Sequence, residues 1–480
     1  MIDARQFYIN GQWVDPAKAR DLAVIDPSTE EEVAVISIGD QADTDAAVAA
    51  AKAALSGWAA SDRDERRALV ERILAIYKRR AAEMARMITL EMGAPQDMSL
   101  GDQVDAGISH ISNFLTAFDD FQFIRPLGPQ APNTRIAQEP VGVVALITPW
   151  NWPMNQVTLK VIPAMLAGCT SVLKPSEIAP LSSHLFAEIV DEAGCPKGVF
   201  NMVHGDGAGV GTQLSTHPDV DMVSFTGSTR AGIAITKAAA DSLKKVALEL
   251  GGKGANLIFA DADDKAVVRG ARHCFYNSGQ SCNAPTRMLV ERSAYDRAVD
   301  TAREVAEKTG VASAHQPGRH IGPVVSKQQW DKIQEMIQKG IDQGARLVAG
   351  GPGLPEGVNR GYFVRPTVFA DVTPDMDIAR QEIFGPVLSI MPFDSEDEAV
   401  AIANDTPYGL TNYVQSQDGA RRNRIARLLR SGMVEMNGES RGAGAFFGGV
   451  KASGRAREGG HWGIEEFTDS KAISGWDGDK

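Results

Sequence analysis

The chain has 480 residues, 43% of them hydrophobic and 23% charged, with a formal net charge of −12. That length is more than one hydrophobic core organises, so two or three domains are expected. The acidic balance and the lack of any basic run interleaved with aromatics argue against nucleic acid as a partner, and with no apolar run long enough to span a bilayer no membrane partner is expected either.

The opening, "MIDARQFYINGQWVDP", has no basic segment followed by an apolar one, so no signal peptide is expected. Four cysteines (Cys169, Cys195, Cys274 and Cys282) form no CxxC pair and are too few for a disulfide framework. They point to a reducing, cytoplasmic setting and to no structural metal. After the β-like "FYINGQWV", strong helix formers over 44–60 and 66–92 predict helices.

From Val141 the pattern changes. Apolar runs at Val141–Ile147, Thr170–Lys174, Val199–Val203 and Asp221–Phe225 alternate with helical stretches such as "SSHLFAEIVDEAG". Buried strands alternating with helices predict βαβ units and a parallel sheet, whose ligands bind beyond the carboxyl ends of the strands. That draws attention to "TPWNWP", "KPSE", "HGDGAGVG" and "TGSTRAG". Beyond Gly251 a second series ("NLIFADAD", "TRMLVE", "ARLVAGG", "FVRPTVF", "PVLSIMPF", "TNYVQS", "GMVEMNG") predicts another α/β domain. The late "FTDSKAISGW" is β-like and suited to pairing with another segment or another subunit.

Several stretches carry chemistry. "HGDGAGVG" is either a dinucleotide-binding turn or simply a flexible βα turn. In "FTGSTRAG", Gly227 and Ser228 follow a strand and precede a helix expected over Ala231–Ala240, a suitable cradle for a diphosphate; Ser228 can also be an N-cap. Lys174 and Glu177 of "LKPSE" read as a solvated ion pair or as the pair that holds an adenosine ribose, where a carboxylate favours NAD over NADP. Glu249 of "LELGGK" reads as a helix-end glutamate at a glycine stop, or as a carboxyl with a raised pKa that serves as a general base. Cys282 sits in "GQSCN" among small polar residues. It reads as inert, or as an accessible thiol near backbone N–H groups that favour thiolate.

In the order "TPWNWP", "LKPSE", "FTGSTRAG", "LELGGK", "NSGQSC", "EIFGPV", "PYGLT" and "FGGVKASG", these stretches resemble the aldehyde dehydrogenase superfamily over Gln6 to Ser474. The resemblance implies an α/β fold: a Rossmann-like cofactor domain (1–120 and 140–250), an α/β catalytic domain (251–450) and a small β arm for bridging and oligomerisation (121–139 and 464–480). It implies NAD(P)-dependent, non-acylating oxidation of an aldehyde to the carboxylic acid. Cys282 would form a thiohemiacetal and then a thioester, Asn151 would join the Cys282 N–H in stabilising the oxyanion, and Glu249 would activate the hydrolytic water. Lys160 and Glu458 resemble a proton-relay pair behind that base; otherwise they are exposed loop charges. Ile147, Thr148, Trp150, Lys174, Glu177, Gly207, Gly227 and Ser228 match cofactor positions, as do Glu382 and Phe384 at the nicotinamide end. A homodimer or homotetramer is implied.

Departures from the family pattern are local. Cys282 lies 33 positions after Glu249, one fewer than is usual, with the shortening placed in "DADDKAVV". Phe446 replaces a usual Pro, and Ala456 a common Gly. Trp152, Asn155, Gln156, Leu159 and Phe447 are expected to line the aldehyde tunnel, the two amides making it more polar than one for simple alkyl aldehydes. No arginine stands out as a clamp for a substrate carboxylate. A cofactor-independent thiol hydrolase and a non-catalytic binding protein are the rival classes.

Overall fold

The computed structural model describes residues 1–477. Two seven-stranded sheets and two small three-stranded ones make up its β structure. The first large sheet runs in the order Lys245–Glu249, Met222–Thr226, Val143–Ile147, Thr170–Lys174, Phe200–Met202, and ends on the hairpin Phe7–Ile9/Gln12–Val14. All its pairings are parallel except those of the hairpin. Every residue of Val143–Ile147, Thr170–Lys174 and Met222–Thr226 is buried, as a sheet covered on both faces requires. The hairpin turns on Asn10 and Gly11, both at positive φ (52° and 69°), the two-residue turn that matches strand twist.

The order of strands creates a crevice. From Val143–Ile147 the chain moves outward to Thr170–Lys174 and Phe200–Met202, then crosses back to pair Met222–Thr226 on the other side of Val143–Ile147. At such a reversal the connections leave in opposite directions and a ligand can lie between them.

Local chemistry sets the element ends. The first strand begins at Val143, not Val141: Gly142 sits at φ 134°, and the Asp221 carboxylate accepts from the Val143 N–H at 2.8 Å. The helix after the fourth strand begins at Thr229, because the Ser228 hydroxyl accepts from the Ala231 N–H at 3.2 Å and caps it. Helix Pro153–Ala167 starts on Pro at its first turn and ends at left-handed Gly168 (φ 93°). It is apolar on nearly every side and buried along almost its whole length. Helices Arg63–Arg79, Ala81–Met92 and Val104–Asp120 share its hydrophobic core.

The second large sheet, Arg346–Ala349, Thr367–Ala370, Val387–Phe393, Arg287–Glu291, Ala255–Ile258, Thr411–Gln415 and Met433–Met436, is parallel apart from its first strand, with a core on each face. The chain thus has the expected α/β character in both large units. The first five residues of "DADDKAVV" lie in the turn between Ala255–Ile258 and helix Ala266–Phe275, and the last three open that helix; a one-residue shortening is readily absorbed in the turn. "FTDSKAISGW" supplies Thr468–Ser474, which pairs antiparallel with Thr134–Pro140 of the same chain, and Ile124–Pro126 completes that small sheet. Residues 478–480 of the expected arm lie outside the described residues. Residues 451–463, outside all the expected domain limits, return to the first sheet: Gly454 bridges Glu249, and helix Gly460–Glu466 packs on helices Val104–Asp120 and Pro153–Ala167.

Candidate active site

Cys282 is presented by a strained turn. Asn277, Ser278 and Gly279 all have positive φ (52°, 57° and 74°), two of them without glycine's freedom. Fixed partners hold the turn: the Ser278 hydroxyl donates to the Gly322 carbonyl at 2.8 Å, and the Val325 N–H donates to Gln280 Oε1 at 2.9 Å. Gly279 packs directly on the backbone of Gly385, leaving no room for a Cβ. This joins the cysteine turn to "EIFGPV", where Phe384 is itself left-handed (φ 63°).

Asn151 reaches the same place from the other sheet. Its backbone oxygen accepts from Asn277 Nδ2 at 2.9 Å and from Gln103 Nε2 at 3.2 Å. Its own Nδ2 donates to the Gln280 carbonyl at 3.0 Å, two residues before Cys282. Trp152 Nε1 donates to the Ser281 hydroxyl at 2.9 Å. The N-terminal end of helix Pro153–Ala167, with its partial positive charge, is thereby held beside the cysteine. Asn277, Gln280 and Gln103 carried no recognisable signal in the sequence; amides in a turn are legible as supports only once their acceptors are known.

Glu249 ends the strand Lys245–Glu249 and is 2% exposed. Neither of its carboxyl oxygens has a hydrogen-bond partner among the described residues. Burial, then the neighbouring Glu458, raises its pKa well above the usual carboxylate value, with Lys160 opposing. The strand position removes the helix-end reading, and the raised pKa agrees with the general-base reading. Gly448 makes room for the carboxyl: a Cβ there would stand 3.1 Å from Glu249 Oε1. Lys160 and Glu458 are not loop charges. Both are buried and form an ion pair, with Lys160 Nζ also donating to the Ser224 hydroxyl at 3.2 Å.

Cys282 keeps intermediate exposure, as the accessible-thiol reading expects, but its surroundings run against easy ionisation. Burial first, then the Glu382 and Glu249 carboxylates, push its pKa well up, and only its own N–H acts the other way. The polar composition of "GQSCN" misled because it reports neighbours in sequence, whereas the dielectric is set by walls drawn from both sheets.

Two cavities meet at Cys282 and Gln156, which line both. One, of about 220 Å³, lies in the crevice of the first sheet and takes in Trp150, Asn151, Gly227, Ser228, Glu382 and Phe384. Trp150 and Phe384 meet edge to face at 5.5 Å. Glu382 accepts from the Gly252 N–H at 2.8 Å, and burial raises its carboxyl. Thr226 Oγ1 is buried there without a partner. Ile147, Thr148, Lys174, Glu177 and Gly207 lie farther along the same sheet edge. The Thr148 N–H donates to the Lys174 carbonyl at 3.2 Å. The solvated-pair reading of Lys174 fails: its ammonium is buried and donates to the carbonyls of Pro175 (2.8 Å) and Gly205 (2.5 Å) and to Glu177 Oε2 (3.3 Å). Glu177 keeps a third of its side chain exposed. Gly207 opens a short turn of helix in which Asp206 accepts from the Gly209 N–H at 2.5 Å.

The other cavity, of about 280 Å³, is lined by Trp152, Asn155, Gln156, Leu159 and Phe447, all five expected tunnel residues. It also takes in His110, Asn113 and Phe114 of helix Val104–Asp120, together with Asn283, Glu458 and the loop from Arg441 to Ala445. Apart from Glu458, these were not expected, because that helix has no motif and the loop follows a stretch that reads only as a strand. His110 shares a ring nitrogen with Asn155 Oδ1 at 2.7 Å, and burial lowers its pKa. Phe446 packs edge on against Trp462 at 5.3 Å and under the Arg457 guanidinium at 4.8 Å. Ala456 is buried with its N–H on the Leu248 carbonyl, so neither departure opens the cavity wall. Lys253, in the tail of "LELGGK", is a further unforeseen group: its ammonium is buried without a partner among the described residues, and burial brings its pKa down to about 7.

A cysteine at the junction of a crevice and a second cavity, with the buried Glu249 carboxyl near enough to act on it electrostatically, fits the family pattern, and comparison with known proteins agrees. The model of the aldehyde dehydrogenase family matches residues 13–473. A 3-succinoylsemialdehyde-pyridine dehydrogenase from a Pseudomonas species is 49% identical over the full length of both chains. The crystal structure of an aldehyde dehydrogenase from Bartonella henselae superposes with a TM-score of 0.99, at 63% identity, covering 99% of this chain and 100% of that one. A mutant of aldehyde dehydrogenase C from Pseudomonas syringae, in complex with NAD+ and octanal, gives a TM-score of 0.97 at 45% identity, covering 99% and 98%. With its fold, its sequence and the junction at Cys282 in agreement, this chain belongs to the aldehyde dehydrogenase family.

Proposed function

We propose that this enzyme oxidises an aldehyde to the free carboxylic acid with NAD, through a thioester on Cys282. The observation that carries the reading is the junction: Cys282 is in the walls of both cavities, so one sulfur can face a carbonyl from one side and a nicotinamide from the other. The name of the Pseudomonas relative and the octanal bound in the P. syringae enzyme support an aldehyde substrate.

The residues present fit NAD. Ser228 opens an 11-residue helix at the crevice, and the unpartnered Thr226 hydroxyl offers a further polar contact. Gly227 and Ser228 would hold the diphosphate; Ile147, Thr148, Lys174, Glu177 and Gly207 the adenosine; Trp150, Glu382 and Phe384 the nicotinamide end. The exposed Glu177 carboxylate accepts from a ribose 2′-hydroxyl and repels a 2′-phosphate, which favours NAD over NADP. When bound, NAD supplies the hydride acceptor that converts thiohemiacetal to thioester.

The chain's own groups do the rest. The Cys282 thiol gives its proton to solvent water, and the thiolate sulfur bonds to the carbonyl carbon, moving the carbonyl π pair onto oxygen. Asn151 Nδ2 turns from the Gln280 carbonyl to that oxyanion, joined by the Cys282 N–H. In the second half, Glu249 takes a proton from water as its oxygen attacks the thioester, and the acid leaves as the thiolate is restored. Lys160 and Glu458 pass the proton away from Glu249. An acylating enzyme would hand the thioester to another thiol and would have no use for this base.

The four free cysteines fit a cytoplasmic setting, and no helix among the described residues is long and apolar enough to cross a membrane. The exposed outer strands of the small C-terminal sheet suit pairing with a second copy in a homodimer or homotetramer. The test is NADH formation across a panel of aldehydes, comparing the wild type with Cys282→Ala. The variant is expected to lose at least about 10⁴-fold in kcat/KM; an undiminished rate contradicts the reading, and turnover without NAD favours a thiol hydrolase.

A further inference from the structure

We infer that the aldehyde oxidised here carries a carboxylate at its far end, and that Arg441 is the residue that selects it. This rests on the reading of the 280 Å³ cavity as the aldehyde site, and adds to it the chemical class of the substrate.

The argument is one of charge. Arg441 and Glu458 are the charged side chains in that cavity wall. Glu458 is neutralised by its buried ion pair with Lys160. His110, bound to Asn155 and desolvated, is held neutral near pH 7. Arg441 is compensated far less completely. Its carboxylate partner, Glu435, stands 3.7 Å from Nε, beyond hydrogen-bond distance, and lies outside this cavity. Its Nη1 donates to the Phe446 carbonyl at 3.2 Å, and its Nη2 has no acceptor among the described residues. The cavity therefore presents one guanidinium with a free donor edge.

That edge is also held in place. The Arg441 guanidinium lies over the Phe447 ring, 4.8 Å from its centroid, and two-thirds of the side chain is covered. Stacking fixes the plane of the donor fork, which is how arginine recognises a planar anion with two oxygens. The other polar walls, Asn113, Asn155, Gln156 and Asn283, are neutral amides. The buried Gln156 Oε1 has no partner and suits hydrogen-bonding along the chain of a substrate rather than contact with methylenes. An alkyl tail in this space would desolvate the guanidinium and return nothing. The volume is at the low end for ligand pockets, which favours a short chain between aldehyde and carboxylate.

The test compares 5-oxopentanoate with pentanal, measured as NADH formation. The wild type is expected to favour the oxo acid by about 30-fold in kcat/KM, the size of one charge-assisted contact. In Arg441→Gln that ratio is expected to fall about 30-fold, through KM for the oxo acid, and in Arg441→Lys by less, since the charge remains but the fork is lost. Glutarate should inhibit the wild type more strongly than hexanoate, and that order should vanish in Arg441→Gln; this readout is independent of turnover. A wild-type ratio near one, or a ratio within threefold of wild type in Arg441→Gln, overturns the inference. If pentanal is oxidised without preference for the oxo acid, only the carboxylate inference falls. If neither aldehyde yields NADH, the oxidation reading falls with it.

Discussion

The two cavities that meet at Cys282 are built in different ways. The crevice of the first sheet is made largely of strand ends and the turns that follow them, so its parts are contiguous in sequence: Trp150 and Asn151 after one strand, Gly227 and Ser228 after another. The second cavity is assembled from side chains of two helices, the cysteine turn and the loop from Arg441 to Ala445. Chemistry common to many aldehydes can be kept on short stretches of backbone. On the proposed reading, discrimination among aldehydes is spread over side chains that share no motif.

The sharpest way to break that division is through Glu249, the proposed base. Glu249→Gln should cut steady-state turnover by about 10³-fold while leaving a rapid first burst of NADH, because the lost step is thioester hydrolysis. Loss of the burst together with turnover would place Glu249 in the first half-reaction instead. The pH dependence has a definite sign. On the proposed mechanism Cys282 and Glu249 both act deprotonated, and burial raises both pKa values, so kcat/KM should climb as pH rises from neutral. Stability should move the other way. Between the unfolded carboxyl value near 4.3 and the raised folded value, the native state keeps a proton that the unfolded chain gives up. Stability contributed by Glu249 is therefore lost with rising pH over that window, and Glu249→Gln should flatten the slope in a melting-temperature profile.

The relay behind the base is the next largest. Lys160→Met leaves Glu458 buried without its cation and should destabilise the fold by about 3–5 kcal/mol in denaturant titration, whereas Lys160→Met combined with Glu458→Gln should recover much of that loss. A small loss in the single variant would mean that the pair is more solvated than its burial indicates. Gly279→Ala probes the seam between the cysteine turn and "EIFGPV". With φ at 74° and the Gly385 backbone against it, the substitution should cost more than about 1 kcal/mol and lower kcat with it. The smallest expected effect lies in the second cavity: leucines at Asn155 and Gln156 should lower kcat/KM for polar aldehydes about 10-fold relative to hexanal. Equal shifts for both classes would remove the amides from specificity.

The same contrast explains what could be read from sequence. The βαβ rhythm and the turns after each strand were visible, and Glu249 and Cys282 could be singled out as candidates, because each belongs to one local run. The ionisation state of Cys282 was not: "GQSCN" is polar, yet the thiol is desolvated by walls from both sheets and faces two carboxylates. Lys160 and Glu458 are 298 positions apart, and their burial as a pair has no local sign. Arg441 follows "VEMNGES" with no motif around it, and its direction is fixed by the Phe447 ring beneath it, the Phe446 carbonyl and Glu435. The return of residues 451–463 to the first sheet was hidden for the same reason, since a short bridge to Glu249 leaves no pattern of its own.

The central claim is a covalent acyl-enzyme on Cys282 that Glu249 resolves. Glu249→Gln mixed with NAD and an aldehyde, quenched in acid and digested, should show the peptide containing Cys282 heavier by the acyl group, while the wild type under the same conditions shows little. An unmodified Cys282 peptide in a variant that has nonetheless formed one equivalent of NADH would contradict the account.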